Sequence, residues 1–347
     1  MGDKPKILMV YTGGTIGMVK DSSSGALKPF DFSNILSNLP EAGSINCRLD
    51  TYSFPKLLDS SNINPGNWAE IASVIKDNYD AYDGFVVLHG TDTMAYTTSA
   101  LSFMFSGLRK PVIFTGSQLP IGHLRTDAKE NLITAVELAA LRDTDGQAVI
   151  KEVCLYFQHE LYRGNRSTKV NAEQFNAFAS PNYPPLAHSG VHLTVNREFL
   201  LPETGKVFSL DTSLATDILL LHLFPGMNEA LISHLLDYDG LKGVIMLSFG
   251  SGNAPSSPSF LNILEKKTSS GIPVVNITQC MKGAVSQGDY QVSEGLERIG
   301  VISGRDMTKE AAVTKMMHLL GVGAGYNEFK KLFENDLRGE ISTIIIQ

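Results

Sequence analysis

Cysteine is scarce in this chain. Only Cys47, Cys154 and Cys280 occur among 347 residues, an odd number set far apart. That suits a reducing compartment better than a disulfide framework, and neither a C-x-x-C pair nor an H-E-x-x-H run offers a zinc site, so no metal is expected. Long hydrophobic runs are missing as well. No apolar stretch nears the roughly eighteen residues of a membrane span, and Ile7–Tyr11 is too short for a signal region. Met1-Gly2 opens like a myristoylation site, but Lys6 stands where Ser or Thr is required. Positive charge is in deficit: 29 Lys and Arg against 36 Asp and Glu leave a net charge of −7. There is no basic face for phosphate backbones, so neither nucleic acid nor a membrane is an expected partner, and the expected location is cytoplasmic.

What is present is enough apolar side chain, 43%, for sizeable cores, and a length that exceeds one typical domain. Ile7–Tyr11, Phe85–His89, Val112–Thr115 and Val153–Gln158 are nearly continuous apolar runs, the mark of strands buried on both faces. Helical stretches lie between them. Asn64-Pro65 supplies an N-cap and a proline at the first helical position, Thr126 or Asp127 caps a second helix, and a third spans Met94 to Leu108. Prolines and glycines punctuate the chain from about residue 180, and the alternation restarts at Leu210. The expectation is an α/β protein of two α/β domains. The larger, over 1–190, has a mostly parallel sheet with helices on both faces; 191–210 is a linker; and 211–347 is a smaller parallel-sheet domain. Ile344-Ile345-Ile346 reads equally as a strand or a tail.

Each early strand ends in a small, polar, glycine-containing turn. Ligands of open parallel sheets bind beyond the carboxyl ends of the strands, where helix N–H groups also point. Thr12-Gly13-Gly14-Thr15-Ile16-Gly17 turns sharply and carries two hydroxyls, yet fits neither G-x-G-x-x-G nor G-x-x-x-x-G-K-S/T. A glycine pair alone serves a bare β-turn just as well. His89-Gly90-Thr91-Asp92-Thr93 adds a carboxylate, which by itself reads as a helix cap before it reads as a catalytic group. The two turns together hold hydroxyls, a carboxylate and backbone donors, an inventory for acyl transfer through a threonine nucleophile. Thr115-Gly116-Ser117-Gln118 adds to that rim, and Leu57-Leu58-Asp59-Ser60-Ser61 reads as ordinary turn chemistry. Arg163 and Arg166 read as solvated loop cations, and Lys169 matters only if the fold brings it beside Asp92. No G-x-S-x-G elbow occurs, and Cys280 reads as a small buried side chain.

Type and order of these motifs resemble the bacterial-type L-asparaginases, and within them the cytoplasmic type I branch, over nearly the whole chain. Thr12–Gly17 and His89–Thr93 carry the two signatures; Leu58–Ser61, Met94–Thr97, Tyr162–Arg166, Phe178–Asn182 and Gly252–Pro255 carry the type I character. The resemblance implies hydrolysis of L-asparagine to L-aspartate and ammonia by a homo-oligomer, dimer or tetramer, with no cofactor. It makes Thr15 the nucleophile and Thr91, Asp92 and Lys169 the second catalytic group. It places the substrate α-carboxylate on Ser60 and neighbouring backbone, with Gly14, Asp59, Ser61 and Gly90 in the binding set. Asp92 also accepts the α-ammonium, the Ser117 carbonyl binds the side-chain amide, and Asn253 reaches a partner subunit's site. Thr168 and Cys280 match positions tied to allosteric regulation.

Two departures accompany the match. No tyrosine stands near Ala26, where the family carries one on a mobile lid, and Leu247 replaces an arginine before Ser248-Phe249-Gly250. Because an opposite charge favours the ionised form of a lysine, the expected role of Lys169 is to orient Asp92 and Thr91, not to act as a base. The alternatives are a broader glutaminase-asparaginase, since one methylene discriminates by only about 1–3 kcal/mol, and a non-catalytic asparagine-binding sensor.

Overall fold

The computed structural model describes residues 4–20, 27–29, 44–286 and 291–342, with only the backbone of 19–20, 27–29 and 291–293. The chain forms two compact units, one of Met1–Ser180 with Pro184–Thr212, the other of Pro181–Tyr183 with Ser213–Gln347. The family lid around Ala26 and the Ile344–Ile346 run lie outside the described residues.

The first unit is built on an eight-stranded sheet. Its strands are β1 (Lys6–Gly13), β2 (Arg48–Leu58), β3 (Gly84–Leu88), β4 (Val112–Thr115), β5 (Val153–Phe157), β6 (Glu160–Arg163), β7 (Ala187–Ser189) and β8 (Leu193–Val195). The order is β8-β7-β6-β5-β4-β3-β1-β2. β2, β1, β3, β4 and β5 run parallel, and β6, β7 and β8 continue antiparallel. Every residue of β3, β4 and β5 is buried, so both faces of the sheet centre are covered, as continuous apolar runs require. The stretch 191–210 contributes β8 and a short pairing of Ser209–Leu210 with Phe105–Ser106 to this unit.

Helix α1 (Pro65–Asp77) opens on the Asn64 cap, whose side chain accepts from Gly66 N while Asn67 returns the bond to Asn64 N. Helix α2 (Met94–Met104) is buried almost all round despite its hydroxyls, because they bond back to the preceding turn: Thr98 to Met94 O at 3.0 Å, Ser102 to Thr98 O at 2.7 Å. It stops short of the expected Leu108, since Phe105–Ser106 turns into the strand pairing and Gly107 adopts φ 65°. Helix α3 (Ala128–Ala140) packs on β1, β3, β4 and β5. The fourth apolar run ends at Phe157, not Gln158: Gln158 and His159 both take positive φ in the turn that reverses the chain into β6. That reversal also corrects the reading of Arg163 and Arg166. Both are buried, and Arg163 Nε donates to Glu152 at 2.6 Å, because a cation enters an interior only with its counter-charge.

The second unit holds a four-stranded parallel sheet, β9 (Ile218–His222), β10 (Gly243–Ser248), β11 (Val274–Thr278) and β12 (Ile302–Ser303), in that order. Helices α4 (Glu229–Leu236), α5 (Pro258–Ser269), α6 (Gln291–Arg298), α7 (Lys309–Gly321) and α8 (Tyr326–Glu334) accompany it. Two apolar clusters, one around Val244, Met246 and Phe260, the other around Ile245, Val275 and Phe329, hold the sheet between them.

Candidate active site

The carboxyl ends of β1, β2 and β3 meet so closely that only glycine fits at the junctions. A Cβ on Gly13 would stand 2.2 Å from Leu58 O, one on Gly14 2.6 Å from Gly90 N, and one on Gly90 2.5 Å from Ser60 Oγ. A Cβ on Gly116, after β4, would stand 2.4 Å from His89 O. Gly13 and Gly14 also sit at φ 140° and 91°. The four polar turns noted in the sequence are thus one packed assembly. Gly14→Ala is expected to lose about 2–4 kcal/mol, from backbone strain and the contact with Gly90 N. A urea midpoint equal to wild type would show that the turns do not abut.

Packing sorts the hydroxyls into two groups. Thr12 is buried and donates to Leu88 O at 2.8 Å, Thr115 donates to Tyr156 O at 2.9 Å, and Thr93 donates to Ser60 O at 2.7 Å. Those three tie strands and turns together. Thr15, at the head of a 3-10 turn, and Thr91 instead line a cavity of about 420 Å³ with Gly14, Asp59, Ser60, Asp92 and Lys169. Ser60 is 5% exposed, and Asp59 accepts from Ser61 N at 3.0 Å, so the Leu57–Ser61 loop is a capped turn that also presents Ser60 to the cavity.

Lys169 leaves a short strand, Thr168–Lys169, that pairs with Phe178–Ala179. Its Nζ donates to Thr91 Oγ1 at 2.9 Å and to Asp92 Oδ1 at 2.7 Å. Asp92 therefore does not cap α2, whose N-cap, Thr93, makes no side-chain cap bond. The pair is unequal in burial: the Asp92 side chain is 63% exposed and that of Lys169 18%, which leaves the carboxylate free to take a second cation from solvent.

This two-signature geometry coincides with family models along most of the chain: "Asparaginase, N-terminal" matches residues 6–200 and "Glutaminase/Asparaginase C-terminal domain" matches 217–333. The chain belongs to the asparaginase family. Among its relatives, L-asparaginase 1 of Escherichia coli K12 is 41% identical over 98% of both chains. The 60 kDa lysophospholipase of Mus musculus is 42% identical over 99% of this chain, which spans only 63% of that relative's length. A crystal structure of L-asparaginase I from Vibrio cholerae is 40% identical and superposes with a TM-score of 0.89, covering 98% of this chain and 99% of its own.

Several residues of this asparaginase fold take places that the sequence pattern alone does not assign. Gln118 lines the cavity: its Oε1 stands 3.5 Å from Thr91 Oγ1, and its Nε2 donates to Ala172 O and Gln174 O. Asp127 stands at the N-cap position of α3, but its side chain makes no cap bond. Thr126 Oγ1 accepts from Ala128 N, while the Asp127 carboxylate receives Gln118 N at 2.9 Å and Leu119 N at 3.1 Å and so holds the third turn. An aspartate that anchors a loop and one that caps a helix share a residue type, so local sequence does not distinguish them. Ser117 is buried and its hydroxyl turns to Leu119 O. Thr168 is buried beside Lys169. Asn253 and Cys280 belong to the second unit. Asn253 closes a bridge with Phe249, and Cys280 is exposed, not the small buried side chain expected of it.

His89 has no place on the cavity wall but stands directly behind it. Its ring is fully buried, and burial lowers its pKa from the ordinary 6.5 to about 4. Gly90 O can only accept, so the Nδ1 at 2.7 Å carries the proton, and Nε2 accepts from Thr97 Oγ1 at 3.0 Å. Linkage fixes the sign: the depressed folded pKa gives stability that is complete above pH 6.5 and is lost as pH falls to 4, about 3 kcal/mol in all. Urea unfolding from pH 7 down to 4 checks this, with His89→Leu expected to lose that part of the acid sensitivity and an identical profile counting against it.

Proposed function

We propose that the chain hydrolyses L-asparagine to L-aspartate and ammonia with Thr15 as nucleophile. The observation that carries this reading is the Lys169–Thr91–Asp92 cluster opening on the same cavity as Thr15. The Thr15 hydroxyl oxygen bonds to the side-chain carboxamide carbon, the C–N bond breaks, and the hydroxyl proton leaves on ammonia. Water then adds to the acyl carbon, the ester to Thr15 breaks, and a proton of that water restores the Thr15 hydroxyl. Ser60 and neighbouring backbone hold the α-carboxylate, with Gly14, Asp59, Ser61 and Gly90 in the binding set, Asp92 accepts the α-ammonium and the Ser117 carbonyl the amide. A cavity of about 420 Å³ lined by Asp59, Ser60, Asp92 and Lys169 suits a small zwitterion better than a long acyl chain.

In the finer reading, the chain works in the cytoplasm as a homo-oligomer, dimer or tetramer, with Asn253 reaching a partner's cavity and Thr168 and Cys280 serving an allosteric site. Partial exposure of Asn253 on a turn held by Asn276 Nδ2 to Gly252 O at 2.9 Å supports a presented side chain. No described helix is long and apolar enough to cross a membrane. Coupled ammonia release with L-asparagine and L-glutamine, beside fatty-acid release from lysophosphatidylcholine, tests the function. Saturable release from asparagine is expected. Equal kcat/KM on both amides would give the broader activity, binding without release would give the sensor, and fatty acid alone would overturn the proposal.

A further inference from the structure

Gly90 is where the site's backbone converges: its N–H side abuts Gly14 and its Cα abuts Ser60. Its carbonyl is held from behind by a chain of side-chain hydrogen bonds. Trp68 Nε1 donates to Thr97 Oγ1 at 3.0 Å, Thr97 Oγ1 donates to His89 Nε2 at 3.0 Å, and His89 Nδ1 donates to Gly90 O at 2.7 Å. Trp68 and Thr97 face each other from α1 and α2, both buried, so the chain crosses from one helix through the next to the turn. The Thr97 hydroxyl lies nearer to His89 Nε2, at 3.0 Å, than to its other acceptor, Thr93 O, at 3.3 Å. The indole only donates, the carbonyl only accepts, and the imidazole between them is fixed in a single tautomer.

We propose that Trp68, Thr97 and His89 form a positioning relay that sets the plane of the Gly90–Thr91 peptide and thereby aims Thr91 into the cavity. The inference rests on the asparagine-hydrolysis reading of the same site. The peptide is trans, like every described peptide bond, so the Thr91 N–H points opposite to Gly90 O. Drawing the carbonyl back onto the buried ring turns that N–H to the other side, where Gly90 and Thr91 line the cavity. The relay gives the buried imidazole a task at the site beyond packing. A buried neutral imidazole behind a glycine turn costs stability in acid, and an apolar side chain would fill the space without that cost but would release the carbonyl. None of the three side chains lines the cavity, so they are positioning residues, acting through Thr91.

Thr97 separates the hydroxyl from its shape. Thr97→Val keeps the branched outline and removes the link; Thr97→Ser keeps the link. With L-asparagine, Thr97→Val is expected to lose about 10–100-fold in kcat/KM, mostly in kcat, while Thr97→Ser recovers to within about threefold of wild type. A role in stability alone would lower the melting temperature of the valine variant and leave its kcat intact, which overturns the relay, as does equal behaviour of the two variants. Should Thr97→Val not melt cooperatively, Trp68→Phe replaces it; a several-fold fall in kcat supports the relay and wild-type kcat overturns it. If the wild-type protein releases no ammonia, the functional reading falls by itself. The relay is then judged by calorimetry with L-aspartate, where Thr97→Val binding at least about tenfold weaker than Thr97→Ser supports it and equal affinity overturns it.

Discussion

Replacing Thr15 by alanine is expected to lower ammonia release from L-asparagine by at least about a thousandfold, some 4 kcal/mol of transition-state stabilisation, while L-aspartate still binds. The argument is geometric before it is chemical. Of the hydroxyls that crowd the strand ends, Thr12, Thr93 and Thr115 are engaged with backbone carbonyls, and Ser117 turns to Leu119 O. Thr15 and Thr91 are the threonines on the cavity wall, and Thr91 accepts from Lys169 Nζ. A donor on the oxygen draws electron density away, which suits a proton-handling role for Thr91 and leaves Thr15 as the attacking group. The alanine change removes only the hydroxyl and methyl of a partly exposed residue, so the Gly14 turn and the Ser60 loop persist and product affinity should stay within a few-fold. Steady-state ammonia release and calorimetry with L-aspartate measure the two halves. Turnover within tenfold of wild type would move the nucleophile to another residue, and lost aspartate binding would make the variant's inactivity uninformative about chemistry and point to a role in shaping the cavity.

The features read correctly from the sequence share a physical cause. β1, β3, β4 and β5 announce themselves because both faces are buried, so nearly every position is apolar, and α1 announces itself through the Asn64-Pro65 start. β2 does not, because it is an edge strand whose residues other than Phe54 stand partly or fully exposed, and its sequence has no reason to be apolar. Helix α8 is only nine residues and buries Phe329 and Phe333 amid charges, too short a pattern to read. At the site, the two glycine turns marked Thr15, Thr91 and Asp92 as residues of interest, and the family resemblance added Ser60. Lys169 stood apart, because a distance of 2.7 Å to a carboxylate 77 positions away is a property of the fold. The groups behind the cavity wall were least legible. Asp127 in the role of loop anchor, and His89 behind Gly90, look locally like a helix cap and a strand end, and only packing distinguishes the roles.

Lys169→Met is expected to reduce kcat with L-asparagine by about 100–1,000-fold with a smaller change in KM. Methionine preserves the length and apolar stem of lysine, so the change removes the donors with little loss of packing. Two bonds go at once: the 2.9 Å contact that fixes the Thr91 hydroxyl and the 2.7 Å contact that fixes the Asp92 carboxylate. With the first lost, the hydroxyl rotates away from the geometry needed to pass a proton. With the second lost, Asp92 keeps a negative charge that still attracts the substrate ammonium, so binding survives better than turnover. Lys169→Arg separates charge from geometry, since the guanidinium retains the charge but cannot place one compact donor between two acceptors. The arginine variant is therefore expected to fall well below wild type while exceeding the methionine variant. Methionine and wild-type enzymes of equal kcat would remove Lys169 from the mechanism, and an arginine enzyme as fast as wild type would show that positive potential suffices and that the orientation of Thr91 is set elsewhere, by Gln118 at 3.5 Å or by the Gly90 peptide behind it.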